Sequence, residues 1–166
     1  MTGAYTAVDE RTKKQTLRML HNGMYVVTSC SGGRCCAAMV TWVSQASFRP
    51  PLVTVAVRKS SRLFACVVES RIAVINILAQ AQLDVARKFF SGTQGTDGAF
   101  ADERFTSGAT SGPVLESACA YLECRVRHIV DNVGDHAVLI MEVVEAQCRE
   151  HVPPLTVAEM PWKYAG

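Results

Sequence analysis

Five consecutive residues, Arg58-Lys59-Ser60-Ser61-Arg62, bring three cations and two hydroxyls together in the chain. A phosphate monoester is close to dianionic at neutral pH, and charge-assisted hydrogen bonds from such groups suit it. The run follows a strand-like stretch and opens a helix-like one. Unpaired N–H groups and the positive end of a helix dipole would therefore act at the same spot. A solvated strand end with a serine cap is the plainer reading of these residues. A second group, Thr41, Ser44, Gln45 and Ser47, lies in a run from Ala38 to Pro51 where small and hydroxyl residues replace the alternation of a half-buried strand. Its hydroxyls, amide and backbone N–H groups can form a ledge for a planar polar ligand, or can be edge-strand hydroxyls facing water. Third, Gly134-Asp135-His136 sets a histidine at a strand start after a tight turn, ordinarily the place of a surface or cap residue.

Other chemistries lack their residues. There is no G-x-x-x-x-G-K-[ST], no H-E-x-x-H and no G-x-G-x-x-G followed by a ribose-reading acid. Gly108-Ala109-Thr110-Ser111-Gly112 imitates the spacing of a hydrolase elbow but carries threonine at the nucleophile position, with no flanking strand and helix. The seven cysteines (Cys30, Cys35, Cys36, Cys66, Cys119, Cys124 and Cys148) show neither a C-x-x-C pair nor zinc-like spacing with histidine, so no metal site is expected. Cys35 and Cys36 point to opposite faces if their segment is a strand. All seven read as small apolar residues kept reduced in a cytoplasm.

The elements that must position these groups follow from pattern. Asp9 caps a first helix through about Leu20, with Leu17, Met19 and Leu20 facing inward and Gly23 ending it. Met24 to Cys30 reads as a strand. Ser31-Gly32-Gly33 is a hairpin signal that returns Cys35 to Trp42 beside it. Pro50-Pro51 ends the ledge by removing two N–H groups from any ladder, and Leu52 to Val57 is a further strand. Ser60 caps a helix to about Glu69. Ile72 to Leu78 is a buried strand, and Ala81 to Phe90 a second short helix. Ser91 to Gly112 reads as a long surface loop. Cys119 to Val130 and Ala137 to Gln147 are long strands joined around Asp131 to Asp135, and Val152 to Gly166 is an extended arm. Short strands with hairpin signals and few helices favour a closed antiparallel barrel.

A chain of 166 residues with 49% hydrophobic side chains makes one globular domain. Seventeen basic against fifteen acidic side chains leave only +2, which supports neither a nucleic-acid nor a membrane partner. No signal peptide opens the chain and no apolar run approaches the ~20 residues that span a bilayer, so a cytoplasmic protein is expected.

The run Trp42-Val43-Ser44-Gln45-Ala46-Ser47-Phe48-Arg49-Pro50-Pro51, followed by Leu52-Val53-Thr54-Val55-Ala56-Val57 and Arg58-Lys59-Ser60-Ser61, resembles the flavin reductase-like, FMN-binding split-barrel family. The resemblance resumes, in the family's order, at Ala73-Val74-Ile75-Asn76-Ile77-Leu78, Lys88-Phe89-Phe90-Ser91-Gly92, Gly112-Pro113-Val114-Leu115, Tyr121-Leu122-Glu123-Cys124 and Gly134-Asp135-His136. It spans roughly Gly23 to Tyr164. In character it is closest to flavoredoxins and to the flavin reductase module of cyanobacterial flavodiiron proteins.

The resemblance implies a mainly β, antiparallel Greek-key split barrel with a few short helices. It implies one domain over 1–166, with the barrel at 22–150 and the arm at 151–166, and a homodimer whose two FMN sites lie near the shared interface. It places Thr41, Trp42 and Val43 with Gln45, Ala46 and Ser47 along the FMN, although Trp42 and Gln45 stand where small or hydroxyl residues are more usual. Lys59, Ser60, Ser61 and Arg62 become the phosphate site, Lys88, Phe90 and Tyr164 approach the cofactor, and His136 lies near flavin and nicotinamide as the catalytic residue. The implied reaction passes electrons from NADH or NADPH through FMN to free flavin, ferric iron or a partner protein. A flavoredoxin-like electron carrier serving a flavodiiron or rubredoxin-type partner is the alternative. A pyridoxamine-phosphate oxidase-like protein shares the barrel type but not this order of motifs.

Overall fold

The computed structural model describes residues 8–96 and 98–161. Asp9 caps α1 (Glu10–Leu17), its carboxylate accepting from the Thr12 N–H at 2.9 Å. The helix stops well before Gly23 and buries none of its residues; Leu17 and Leu20 are exposed and Met19 is 77% exposed. The expected inward face is thus not buried among the described residues.

Seven residues on each side of Gly32-Gly33 pair directly. β1 (Tyr25–Ser31) and β2 (Arg34–Val40) form an antiparallel hairpin whose two glycines hold φ of +55° and +79°, a conformation that a Cβ disfavours. Cys30 and Cys35 stand opposite one another there and are joined by a disulfide, which corrects the expectation of seven reduced thiols. The spacing alone hid this pair, because only the hairpin register brings the two Cβ atoms together. Cys36, on the opposite face, is buried against Cys66, and that burial pushes its thiol up to about 12.

β3 (Val43–Phe48) is an edge strand with a bulge between Gln45 and Ser47. Pro51 does not end the segment but opens β4 (Pro51–Arg58), opposite Phe48, since a proline is tolerated at the first residue of a strand. Val53, Val55 and Val57 of β4 point into the core. In α2 (Arg62–Ser70) the cap is Ser61 rather than Ser60, its hydroxyl accepting from the Phe64 N–H at 3.1 Å. Leu63, Cys66 and Val67, spaced i, i+3, i+4, are the buried face.

β5 (Ile72–Ile77) follows, then α3 (Leu83–Arg87), shorter than the pattern suggested. The expected loop after it is folded: β6 (Thr93–Thr96), β7 (Ala99–Phe100) and β8 (Glu103–Ser107) extend the sheet outward from β2, and β9 (Pro113–Leu115) pairs with β8. Strands this short carry no readable periodicity, and the ladder from β2 defines them. β10 (Ala120–Val130) and β11 (His136–Cys148) complete an antiparallel sheet ordered β3-β4-β11-β10-β5-β1-β2-β6-β7-β8-β9.

Two apolar clusters fill the interior. One lies between α2 and the valine-rich strands; the other gathers Phe89, Phe100, Leu115 and Leu155. The C-terminal segment is tied into the second, since the Leu155 N–H donates to the Leu78 carbonyl at 2.8 Å and Thr156 to Glu159 form a capped 3-10 turn. Asn76 is buried and satisfied, donating to the Val26 carbonyl at 3.0 Å while accepting from the Leu115 N–H at 2.8 Å. Glu123, also fully buried, accepts from the Ala109 N–H (2.9 Å), the Thr110 N–H (2.7 Å) and the Thr110 hydroxyl (2.6 Å). A Cβ at Gly108 would stand 2.5 Å from that carboxylate, so a larger residue there would have to displace it.

Candidate functional site

A cavity of about 630 Å³ opens where β2, the junction of β4 with α2, and the segment after α3 converge. Its size lies within the range of small-molecule and cofactor pockets. Each wall follows from a local rule. Alternation along β4 puts Ala56 and Arg58 on the face opposite the buried valines. The Ser61 cap starts α2 at the cavity, which brings Ser60, Ser61 and Arg62 to one wall beside free helix N–H groups. Gly92, at φ +71°, turns the chain after α3 so that Phe90, Ser91 and Thr93 form the third side.

The ledge residues divide. Thr41 and Trp42 line this cavity, Thr41 buried and Trp42 44% exposed. The Ala56 N–H donates to the Trp42 carbonyl at 3.0 Å and fixes the backbone there. Val43 and Gln45 instead line a second, mostly apolar groove of about 390 Å³ with Tyr25, Val53, Leu122 and Val143. Ala46 sits in the bulge, and neither it nor Ser47 lines either cavity. The division falls at the start of the edge strand: Thr41 and Trp42 precede β3 and face the larger cavity, while Val43, Ser44 and Gln45 within β3 face the groove.

His136 opens β11 at the cavity rim, directly opposite Arg58 in the ladder. Its Nδ1 lies 2.8 Å from Oδ1 of Asp135, and its ring meets that of Trp42 at 4.9 Å between centroids, tilted by 57°. The hydrogen bond from His136 holds the Asp135 carboxyl below the usual carboxylate range. That contact favours the tautomer with the proton on Nδ1 and leaves Nε2 for a ligand.

Two of the expected lysines are elsewhere. The Lys59 ammonium donates to the Asp131 carbonyl at 3.0 Å, bracing the β10–β11 turn outside the cavity lining. Lys88 is held by Asp102 at 2.7 Å and Glu103 at 2.6 Å, contacts that raise its pKa. Lys59 lies in the turn after β4, and nearby carboxylates draw Lys88 away. Tyr164 lies outside the described residues. Arg58, grouped with the other cations by its place in the run but not among the residues that the resemblance implies, lines the cavity because it shares the strand face of Ala56. Sequence reasoning missed Ser91 and Thr93, which are part of an apparent loop. Among the described residues no group of His, Cys, Asp or Glu is arranged to hold a metal ion, and no helix is long and apolar enough to cross a membrane.

The cavity thus lies on an antiparallel sheet, with a wall of hydroxyls and arginine at a helix start. Residues 17–160 match the model of the flavin reductase like domain, and the chain belongs to that family. It is 31% identical over 120 residues to the FMN reductase (NADH) RutF of Pseudomonas syringae, covering 72% of this chain and 66% of that protein. It is 30% identical over 136 residues to the diflavin flavoprotein A 1 of Synechocystis, covering 81% of this chain and 23% of that protein. The chain spans only 21–23% of the length of the diflavin flavoproteins that it matches. The flavin reductase PheA2 superposes with a TM-score of 0.77 at 23% identity, over 90% of this chain and 93% of that one, and so shares the fold.

Proposed function

We propose that this chain is an NAD(P)H-dependent flavin reductase that holds FMN in the larger cavity, as a single-domain Greek-key split barrel acting as a homodimer. The observation that carries the reading is the convergence of Ser60, Ser61 and Arg62 at the start of α2 with Thr41 and His136 on one cavity. The donor set fits FMN: hydroxyls, a guanidinium and helix N–H groups suit a terminal phosphate, and Thr41 with the backbone around Trp42 offers donors and acceptors to the polar edge of a planar ring. Bound FMN supplies the redox chemistry, taking two electrons from NADH or NADPH and passing them to free flavin, ferric iron or a partner protein.

The chain's own residues bind and orient. Arg62 and Ser60 hold the phosphate. The Trp42 and His136 rings bound the mouth, where His136, fixed by Asp135, orients the nicotinamide through Nε2. The apolar groove and the open edge of β3, with Phe48 exposed, suit burial against a second copy, which brings Val43, Gln45, Ala46 and Ser47 toward the site at the subunit boundary.

The purified protein is expected to be yellow or to take up FMN, to release FMN rather than FAD on denaturation, and to bleach within the dead time to seconds when mixed anaerobically with NADH or NADPH. Chromatography of the cofactor and stopped-flow absorbance test this. A protein that no flavin reconstitutes overturns the reading.

His136→Ala is expected to slow flavin reduction and raise the apparent KM for the dinucleotide while FMN content is kept, because the lost contact orients the donor rather than the bound ring. Stopped-flow reduction at varied NADH decides it. Loss of FMN or of thermal stability with a normal rate in the remaining flavin makes His136 a strand cap instead.

A further inference from the structure

The two arginines on the wall of the larger cavity, Arg58 and Arg62, have guanidinium groups with no hydrogen bond or ion pair among the described residues. The lysines near them are engaged, Lys59 with the Asp131 carbonyl and Lys88 with Asp102 and Glu103. One flavin phosphate accounts for Arg62, which stands at the helix start with Ser60 and Ser61. Arg58 belongs to a different neighbourhood. It ends β4 directly opposite His136, so the two side chains leave the same face of the sheet with their Cβ atoms about 4.5–5.5 Å apart. The Trp42 ring lies against His136 on that side. Asp135 is hydrogen-bonded by His136, and the Arg58 charge also helps hold its carboxyl below the usual carboxylate range, without a hydrogen bond or ion pair between Asp135 and Arg58.

We propose that Arg58, at the rim beside His136 and Trp42, is a second anion subsite that takes the diphosphate of the pyridine dinucleotide; this rests on the flavin reductase reading. A planar guanidinium pairs bidentately with phosphate oxygens, and its charge does not vary over the working pH range. A dinucleotide that brings its nicotinamide to a flavin in this cavity carries two negative charges one ribose away from the ring, and the rim at Arg58 is where the cavity presents a guanidinium with its hydrogen-bonding capacity unused beside a histidine. The indole face of Trp42 offers a stacking surface for a planar base next to that charge. Arg58 and Arg62 thus divide the work: Arg62 reads the flavin phosphate and Arg58 the electron donor.

The probe is ADP-ribose, which keeps the adenosine diphosphate and lacks the nicotinamide. It is titrated into the FMN-loaded parent protein and into Arg58→Gln, with binding read by calorimetry, and NADH dependence is measured in parallel. Arg58→Gln is expected to weaken ADP-ribose binding and to raise the apparent KM for NADH by about tenfold or more, as loss of a charge-assisted contact implies. Its FMN affinity is expected to match the parent's, which also reports that the variant is folded. ADP-ribose binding that is equal in both proteins, or undetectable in the parent, overturns the subsite, and so does an equivalent loss of FMN affinity. Normal reduction by NADH with unchanged ADP-ribose affinity removes the subsite and keeps the reductase reading. Arg58-dependent ADP-ribose binding in a protein that NADH does not reduce does the opposite.

Discussion

Arg62→Ala is expected to weaken FMN binding by about 1.5–3 kcal/mol, roughly ten- to a hundredfold in Kd, if its guanidinium holds the phosphate through charge-assisted hydrogen bonds. The residue sits on the cavity wall with no competing partner among the described residues, so its full pairing capacity is available to a ligand. It is exposed in the free protein, and its removal opens no hole in the core. Lys59→Ala makes the contrast. Its ammonium already donates to the Asp131 carbonyl, and the expected change in FMN affinity is less than about threefold. Flavin fluorescence titration of both apo variants separates them. Equal losses would return Lys59 to the phosphate site, and an unchanged Arg62→Ala would move the phosphate away from the start of α2.

Glu123→Ala is expected to cost on the order of 3 kcal/mol of folding stability, because two backbone N–H groups and one hydroxyl lose a fully buried acceptor at once. The carboxylate closes the turn between β8 and β9, and a Cβ at Gly108 would push against it. Urea unfolding is expected to show a lower midpoint with an unchanged slope. Glu145→Ala, on the exposed part of β11, serves as the control and is expected to stay within about 0.5 kcal/mol of the parent. A Glu123 variant as stable as the control would mean that water replaces the carboxylate in the turn.

Much of this molecule was legible from local rules. The Gly32-Gly33 turn fixed a hairpin because two positive φ angles need glycine. The valines of β4 announced a buried strand through their two-residue period. The hydroxyls and cations before α2 marked a helix start suited to an anion. These features depend on residues close in the chain, so composition and spacing carry them. The family's order of motifs extended that reading to FMN and to His136.

Tertiary structure decided what local rules leave open. Arg58 and Lys59 are adjacent and chemically alike, yet Arg58 ends the strand facing the cavity while Lys59, in the turn after it, reaches the Asp131 carbonyl. Lys88 was drawn off by Asp102 and Glu103, carboxylates that a short strand pair brings to it from fourteen and fifteen residues away. Cys30 met Cys35 through hairpin register. The ladder from β2 turned an apparent loop into β6, β7 and β8, strands too short to carry a pattern of their own. In each case the deciding term is a contact between segments. A sequence determines such contacts only through the whole fold, because their energy depends on which faces the sheet brings together.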